Sequence, residues 1–496
     1  MPAPRSLAEL EADVTRDLDL TGHPRAPWLL PKTVGGLAAL DVLIIGGGQC
    51  GVAVAHALKR DKVDNILVLD RADYGREGPW TTYGRMRALR SLKDMTGPDL
   101  RLPSLTYQSW HEANFGTADW EAMRWIPKDL WNDFLLWFRR VTGVPVRNGV
   151  AAGTITPTTT DDGLPAFRVE TSEGPLHARK VLLATGQEGV GAWWMPEHIA
   201  ALPREFRAHT HEMIDFAALR GKVVAVLGAG ASAFDNAAVA LEHGAAEVHI
   251  FCRRAELMVV QPYRWLTFAG FLRHMGEMSD EWRWRFMSHV LGMREGFAQD
   301  HYDRVIRFPN FRLHAGREWQ AARIEEGRVV LTTQGGDFLA DYCITGTGVR
   351  MDAELRPELA LCAANIATWG DRYSPPPNEA NPRLALYPYL NADSAFVEKR
   401  PGETPWISGI HLFGIGTTMS FGPAGSSINA MAISAPRVAA GITRNLFAED
   451  MPRLYGDLCA YDEKQVEVDA ARLEHAPPAR AHITDSSSLF ATSLIR

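Results

Sequence analysis

The sequence is poor in cysteine. Five occur in 496 residues, at Cys50, Cys252, Cys343, Cys362 and Cys459. No two are spaced as CxxC, which excludes a dithiol redox centre and a zinc knuckle, and no metal site is expected. Long apolar runs are also missing, so no transmembrane helix and no membrane partner are expected. The amino-terminal residues lack the apolar core of a signal peptide, and a cytoplasmic protein is expected. Positive charge is not in excess. With 52 basic against 59 acidic residues the net charge is −7, which disfavours nucleic acid as a partner. Lysine is scarce, 9 against 43 arginines.

Tryptophan is abundant. Fifteen occur, and Trp110, Trp120, Trp125, Trp131 and Trp137 crowd into one short segment. Trp131 and Trp137 suit a buried helix face with Phe134 and Phe138. Trp80 and the span 110–125 are candidates for a dry aromatic wall beside a planar substrate. The chain length implies two or three domains. Leu7, Leu10, Val14 and Leu18 recur at helical spacing in an amino-terminal leader.

Order then sharpens. The apolar run at 42–45 enters a G-x-G-x-x-G loop with Gly46, Gly48 and Gly51, and a second buried strand at 66–69 ends at Asp70. This is a βαβ unit in which the glycines permit a tight turn, approach of a pyrophosphate and close helix packing. The free N–H groups at the helix start favour the phosphates, and the acid at the strand end suits ribose hydroxyls. The same syntax returns 182 residues later at Gly228, Gly230, Ser232 and Ala233, but the following strand ends in Arg253 and Arg254. An arginine there pairs with a 2′-phosphate where an acid would repel it. Two such sites in one chain imply a hydride relay, so the first is read as FAD and the second as NADPH.

Each unit also has a hairpin leading to a later strand that ends in Thr-Gly, at Thr185-Gly186 and Thr347-Gly348. A strand at 411–416 entering a turn at Gly416, followed by a helix capped by Ser426 and Ser427 and kinked at Pro436, supplies a helix start for the flavin side. Loops beyond strand ends bind ligands in such folds. Tyr83, Arg87, Arg90, Lys93 and Asp94 are therefore candidates for substrate or flavin contact, with Arg90 or Lys93 pairing an anion. His209 and His211 are candidates for proton transfer at the hinge. Asp371, Arg372 and Tyr373 are candidates for a second polar wall.

These glycine loops with Asp70 and Arg253, the Gly78-Pro-Trp80 element and the two Thr-Gly strand ends resemble the single-component FAD- and NADPH-dependent flavin monooxygenases. The elements around Trp80, Leu89-Arg-Ser-Leu-Lys-Asp94 and Gly270-Phe-Leu-Arg-His274 are most similar to a bacterial branch named for FAD-dependent urate hydroxylase. The resemblance implies an α/β fold of two Rossmann-like dinucleotide-binding domains, with the NADPH domain inserted into a discontinuous FAD domain. The expected division is a leader at 1–35, FAD domain at 36–205, NADPH domain at 206–340, FAD domain again at 341–450, and an extension with a loose tail at 451–496. It also implies a cycle in which NADPH reduces FAD, O2 forms a C4a-(hydro)peroxyflavin, and one oxygen enters a small polar heteroaromatic substrate. The alternatives from the residues are an N-hydroxylase of an amine or amino acid, and a reductase or dehydrogenase without oxygenation. A homodimer is compatible with the sequence.

Overall fold

A computed structural model describes residues 5–474 apart from Thr96, Arg294, Glu295 and Ser426. The expected tail with Pro477 and Pro478, and Ser426 as a helix cap, lie outside the described residues. The chain divides into two compact units, the first ending at Glu449 and the second beginning at Asp450. Both dinucleotide-type sheets belong to the first unit.

The first sheet grows from its apolar strands. Leu37–Ile45 runs parallel to Ile66–Asp70, with Val42 beside Ile66 and Ile45 beside Leu69. Val42, Leu43 and Ile44 are fully buried, as strands covered on both faces must be. The helix Gln49–Arg60 makes the crossover. Leu176–Gly186 pairs parallel with Leu37–Ile45 on one side. On its other side it takes two partners in turn. Pro165–Thr171 lies antiparallel along its start and Ile410–Gly414 parallel along its end. The carboxy-terminal third of the first unit therefore returns to complete this sheet. Val146–Asn148 extends the parallel edge beyond Ile66–Asp70, and Ala152–Thr159 pairs antiparallel with Pro165–Thr171.

The second sheet is wholly parallel, in the order Phe311–Ala315, Glu247–Cys252, Val223–Leu227, Tyr342–Thr345 and Arg207–His209. The expected limit of the inserted domain at residue 340 falls short, because Tyr342–Thr345 is a strand of this second sheet, with Val224 opposite Tyr342. The strands Trp319–Glu325, Arg328–Thr333 and Gly336–Ala340 form a separate antiparallel meander. Gly191–Trp193 and Val349–Met351 pair antiparallel as a two-stranded ribbon where the chain leaves and re-enters the first domain. The architecture is α/β, a mixed sheet with a parallel core and a wholly parallel second sheet inserted into it in sequence.

The tryptophan-rich segment forms the third feature. The helix Lys128–Val141 buries Trp131, Phe134, Trp137 and Phe138, while Arg139 and Arg140 lie in its last turn, where cations complement the helix dipole. Trp80, Tyr107, Trp110 and Trp120 join the same core. The leader is not separate from it. The helix Leu7–Leu20, opened by a Ser6–Glu9 capping box, buries Leu10 and Val14 in that core. Its Glu11 accepts a hydrogen bond from Trp137 Nε1 at 3.1 Å. The idea of an aromatic wall over 110–125 is corrected accordingly. Trp110 and Trp120 are core residues, and only Trp125 is half-buried.

Candidate active site

The first glycine loop is shaped by contact. Gly46 sits at φ +114°, where a Cβ would strike the Ala184 carbonyl oxygen, and a Cβ on Gly51 would strike the carbonyl oxygen of Gly46. Gly48 has no heavy atom near its Cβ position, and the helix Gln49–Arg60 begins there with no side-chain cap. An open cradle with uncapped N–H groups fits a dinucleotide pyrophosphate. Asp70 closes the loop: its Oδ2 accepts from Gly47 N at 2.7 Å and its Oδ1 from Ala72 N at 2.8 Å. Each oxygen keeps a second lone pair for a ribose hydroxyl. Beside the loop, Thr185 Oγ1 donates to Gly189 O at 2.6 Å, and the turns around Gly186, Gly189, Gly414 and Gly416 lie in close backbone contact.

The second loop repeats this plan with one exchange. Its third position is Ala233, and the small residue has moved to the facing strand end. A Cβ on Gly346 would come 3.1 Å from the Ala233 Cβ. Gly230 is open and the helix Ala231–Glu242 starts without a side-chain cap, leaving Ser232 exposed in its first turn. The two arginines at the next strand end part ways. Arg253 is exposed, with no hydrogen bond or ion pair among the described residues. Arg254 Nη2 is committed to Gly292 O at 2.7 Å. This cradle too fits a dinucleotide, and Arg253 is the exposed cation at the next strand end. Gly348 lies in the interdomain ribbon, its carbonyl accepting from Trp194 N at 2.9 Å.

At the ribbon strand Gly191–Trp193 the structure gathers residues from both domains. Trp193 lies flat on His211, ring centroids 4.9 Å apart and planes within 6°. Tyr83 meets Trp193 edge-on at 5.6 Å. The Nδ1 atoms of His209 and His211 are 2.8 Å apart, so one ring donates while the other accepts. Burial holds both rings neutral, pushing His209 down to about 3 and His211 below its ordinary value. Glu188 joins Arg71 at 2.7 Å and Arg356 at 2.6 Å. Burial raises its carboxyl, but the two arginines outweigh this and keep it below its usual range. Trp193, Glu188 and Arg356 carry no local sequence signal, because Trp193 and Glu188 meet Tyr83 and Arg71 from distant parts of the chain and Arg356 meets Glu188.

Several expected site residues are engaged elsewhere. Lys93 Nζ donates to Trp120 O at 2.5 Å and lies 4.8 Å above the Trp120 ring, so it pins the aromatic core. Trp80 is buried against Trp131, with its carbonyl accepting from Lys128 Nζ at 2.7 Å. Arg87 pairs with Glu242 of the second domain at 2.6 Å. Arg90 and Asp94 are exposed on the segment after Trp80. Asp371 caps its own helix at Thr368 and pairs with Lys399 at 2.8 Å, while Arg372 donates to Glu398 O at 2.6 Å, so no second polar wall forms. Ser427 makes no side-chain cap, and the helix Met431–Ala460 runs on through Pro436. Among the described residues no cysteine forms a disulfide, no cluster suits a metal ion, and no helix is long and apolar enough to cross a membrane.

Residues 40–265 match the family model of pyridine nucleotide-disulphide oxidoreductases. The chain is 37% identical over 463 residues to a protein named FAD-dependent urate hydroxylase from Xanthomonas campestris pv. campestris, covering 93% of this chain and 97% of that one. In structure it is similar to the reduced form of ornithine hydroxylase from Pseudomonas aeruginosa, at a TM-score of 0.64 and 15% identity over 82% of this chain and 100% of that chain. It is also similar to L-lysine 6-monooxygenase from Pseudomonas syringae, at 0.63 and 20% over 82% and 99%. These two likenesses speak for the fold. With a two-sheet dinucleotide architecture, no cysteine pair, and near full-length identity to a named hydroxylase, the chain belongs to the flavin-dependent monooxygenases, in the branch of that urate hydroxylase.

Proposed function

We propose that this chain is an FAD-dependent, NADPH-reduced monooxygenase acting on a small planar anion, with urate the foremost candidate. The observation that carries the reading is the pair of open glycine cradles, one followed by Asp70 and the other by Arg253, which has no partner among the described residues. The likeness to a urate hydroxylase over nearly the whole chain favours urate over an amine.

When bound, FAD accepts a hydride from NADPH and makes O2 reactive toward the substrate. The chain's own residues bind and orient. Gly46, Gly48 and Gly51 with the helix start at Gln49 hold the flavin pyrophosphate, and Asp70 accepts from its ribose. Thr185, Gly186 and Gly416 shape the backbone at the flavin side. Gly228, Gly230, Ser232 and Ala233 hold the nicotinamide dinucleotide, and Arg253 pairs with its 2′-phosphate. His211, clamped between Trp193 and Tyr83 and bonded to His209, is placed to move a proton through its ring nitrogens. The apolar packing around these loops limits the entry of water.

The test is coupled turnover. Purified holoenzyme with NADPH and O2 is expected to consume NADPH faster when urate is added, with one urate lost per NADPH. Unchanged NADPH use, or hydrogen peroxide as the sole product, contradicts the reading. Stimulation by an amine or amino acid in place of urate selects N-hydroxylation instead.

A further inference from the structure

The carboxy-terminal helix of the first unit holds a charge that its surroundings do not explain. Arg437 is the single charged residue between Ile428 and Thr443. Its Nε and Nη1 are buried, and no described residue hydrogen-bonds them. The guanidinium carbon lies 4.2 Å from the centroid of the Phe421 ring. Burial lowers its pKa to about 10 while the charge of Glu277 opposes this. Glu277 is already bonded to His274 at 2.9 Å. A half-buried cation with two buried donors left unmatched is costly, and such donors are kept where a ligand supplies the acceptors.

The place is informative. Phe421 follows the flavin-side turn at Gly416 by five residues, and its ring presses on Gly276 of the inserted segment. The neighbouring Gly422 faces Phe271 and Met275 of that segment. Arg437 therefore sits where the flavin-side loop, the long helix and the inserted segment meet. Two turns before it, Asn429 Oδ1 is also buried with no partner, and Ile433 between them packs on the core. Asn429 lies in the single turn Ile428–Ala430 that leads into the helix carrying Arg437. A donor set lies on an aromatic face here, and an unmatched acceptor stands in the turn just before the same helix.

We propose that Arg437 is a specificity-determining residue that binds the negatively charged edge of a small heterocyclic anion, with Asn429 accepting from a ring N–H and Phe421 forming one wall. This rests on the anion reading under Proposed function. A planar guanidinium matches two acceptor atoms of a planar anion, as an ammonium does not.

The test titrates oxidised holoenzyme with urate and, separately, with benzoate as a second planar anion. Binding is followed by the flavin absorbance and by the thermal midpoint. Arg437→Met is expected to keep FAD content within about twofold of wild type and to weaken urate binding by roughly 10- to 100-fold, with Arg437→Lys between. Urate affinity within about threefold of wild type in Arg437→Met overturns the assignment, as does loss of FAD from both variants. If wild type itself does not bind urate, the urate reading falls separately and benzoate decides. Benzoate binding lost in Arg437→Met sustains an anion site, whereas unchanged or absent benzoate binding removes it.

Discussion

Arg253 and Arg254 are neighbours in the chain with different fates, and the difference lies 38 residues away at Gly292, whose carbonyl takes Arg254. The sequence made the pair legible as a phosphate-binding strand end, but not which member is available. Lys93 was misread for the same reason, because its partner Trp120 lies on a helix 27 residues further along the chain. Local spacing reveals loops well, since Gly46, Gly48 and Gly51 share one turn, to which Asp70 bonds from the end of the next strand. It reveals side-chain partners poorly. At this scale, Arg253→Ala is expected to weaken NADPH binding by about 1.5–3 kcal/mol and to leave NADH binding nearly unchanged. Isothermal titration with both coenzymes checks it, and equal losses would remove the phosphate role.

At the scale of elements, strands buried on both faces read clearly because their apolar runs are uninterrupted, as at 42–45 and 223–227. Val146–Asn148, Arg207–His209 and Val349–Met351 were not legible, since three residues carry no period. The tryptophan segment was legible as an oddity, and the structure makes most of it a core that the amino-terminal helix completes. Trp131→Leu is therefore expected to cost about 2–4 kcal/mol in urea unfolding without altering how tightly NADPH use is coupled to product. The His209–His211 pair gives a second expectation. The folded state holds His209 near 3, whereas the unfolded chain protonates it near 6.5. The unfolded state thus binds more protons as pH falls below 6.5, so stability declines from there toward acid and is level above. Thermal midpoints between neutral pH and about pH 5 should fall less steeply in His209→Asn than in wild type.

At the scale of the whole molecule, two sheets built on one plan are joined through a short ribbon, and ionic contacts tie their domains. Glu242, at the end of the second-loop helix, takes Arg304 at 2.7 Å, Arg307 at 2.8 Å and Arg87 of the first domain at 2.6 Å. Glu242→Gln is expected to loosen this tie and to speed limited proteolysis at the ribbon residues 191–193 and 349–351. The insertion was legible from the repeated motif and the resemblance, but its far limit was not. The strand Tyr342–Thr345 has the sequence of either sheet, and only its register with Val223–Leu227 assigns it.

The central claim is that this chain joins hydride supply to oxygen insertion within one polypeptide. A single-turnover experiment with isotopically labelled O2 tests it most directly: holoenzyme reduced by one equivalent of NADPH without oxygen, then mixed with labelled O2 and urate. The account predicts one labelled oxygen atom in the product for each NADPH consumed. Product formed without label, or label recovered wholly in hydrogen peroxide, would contradict it.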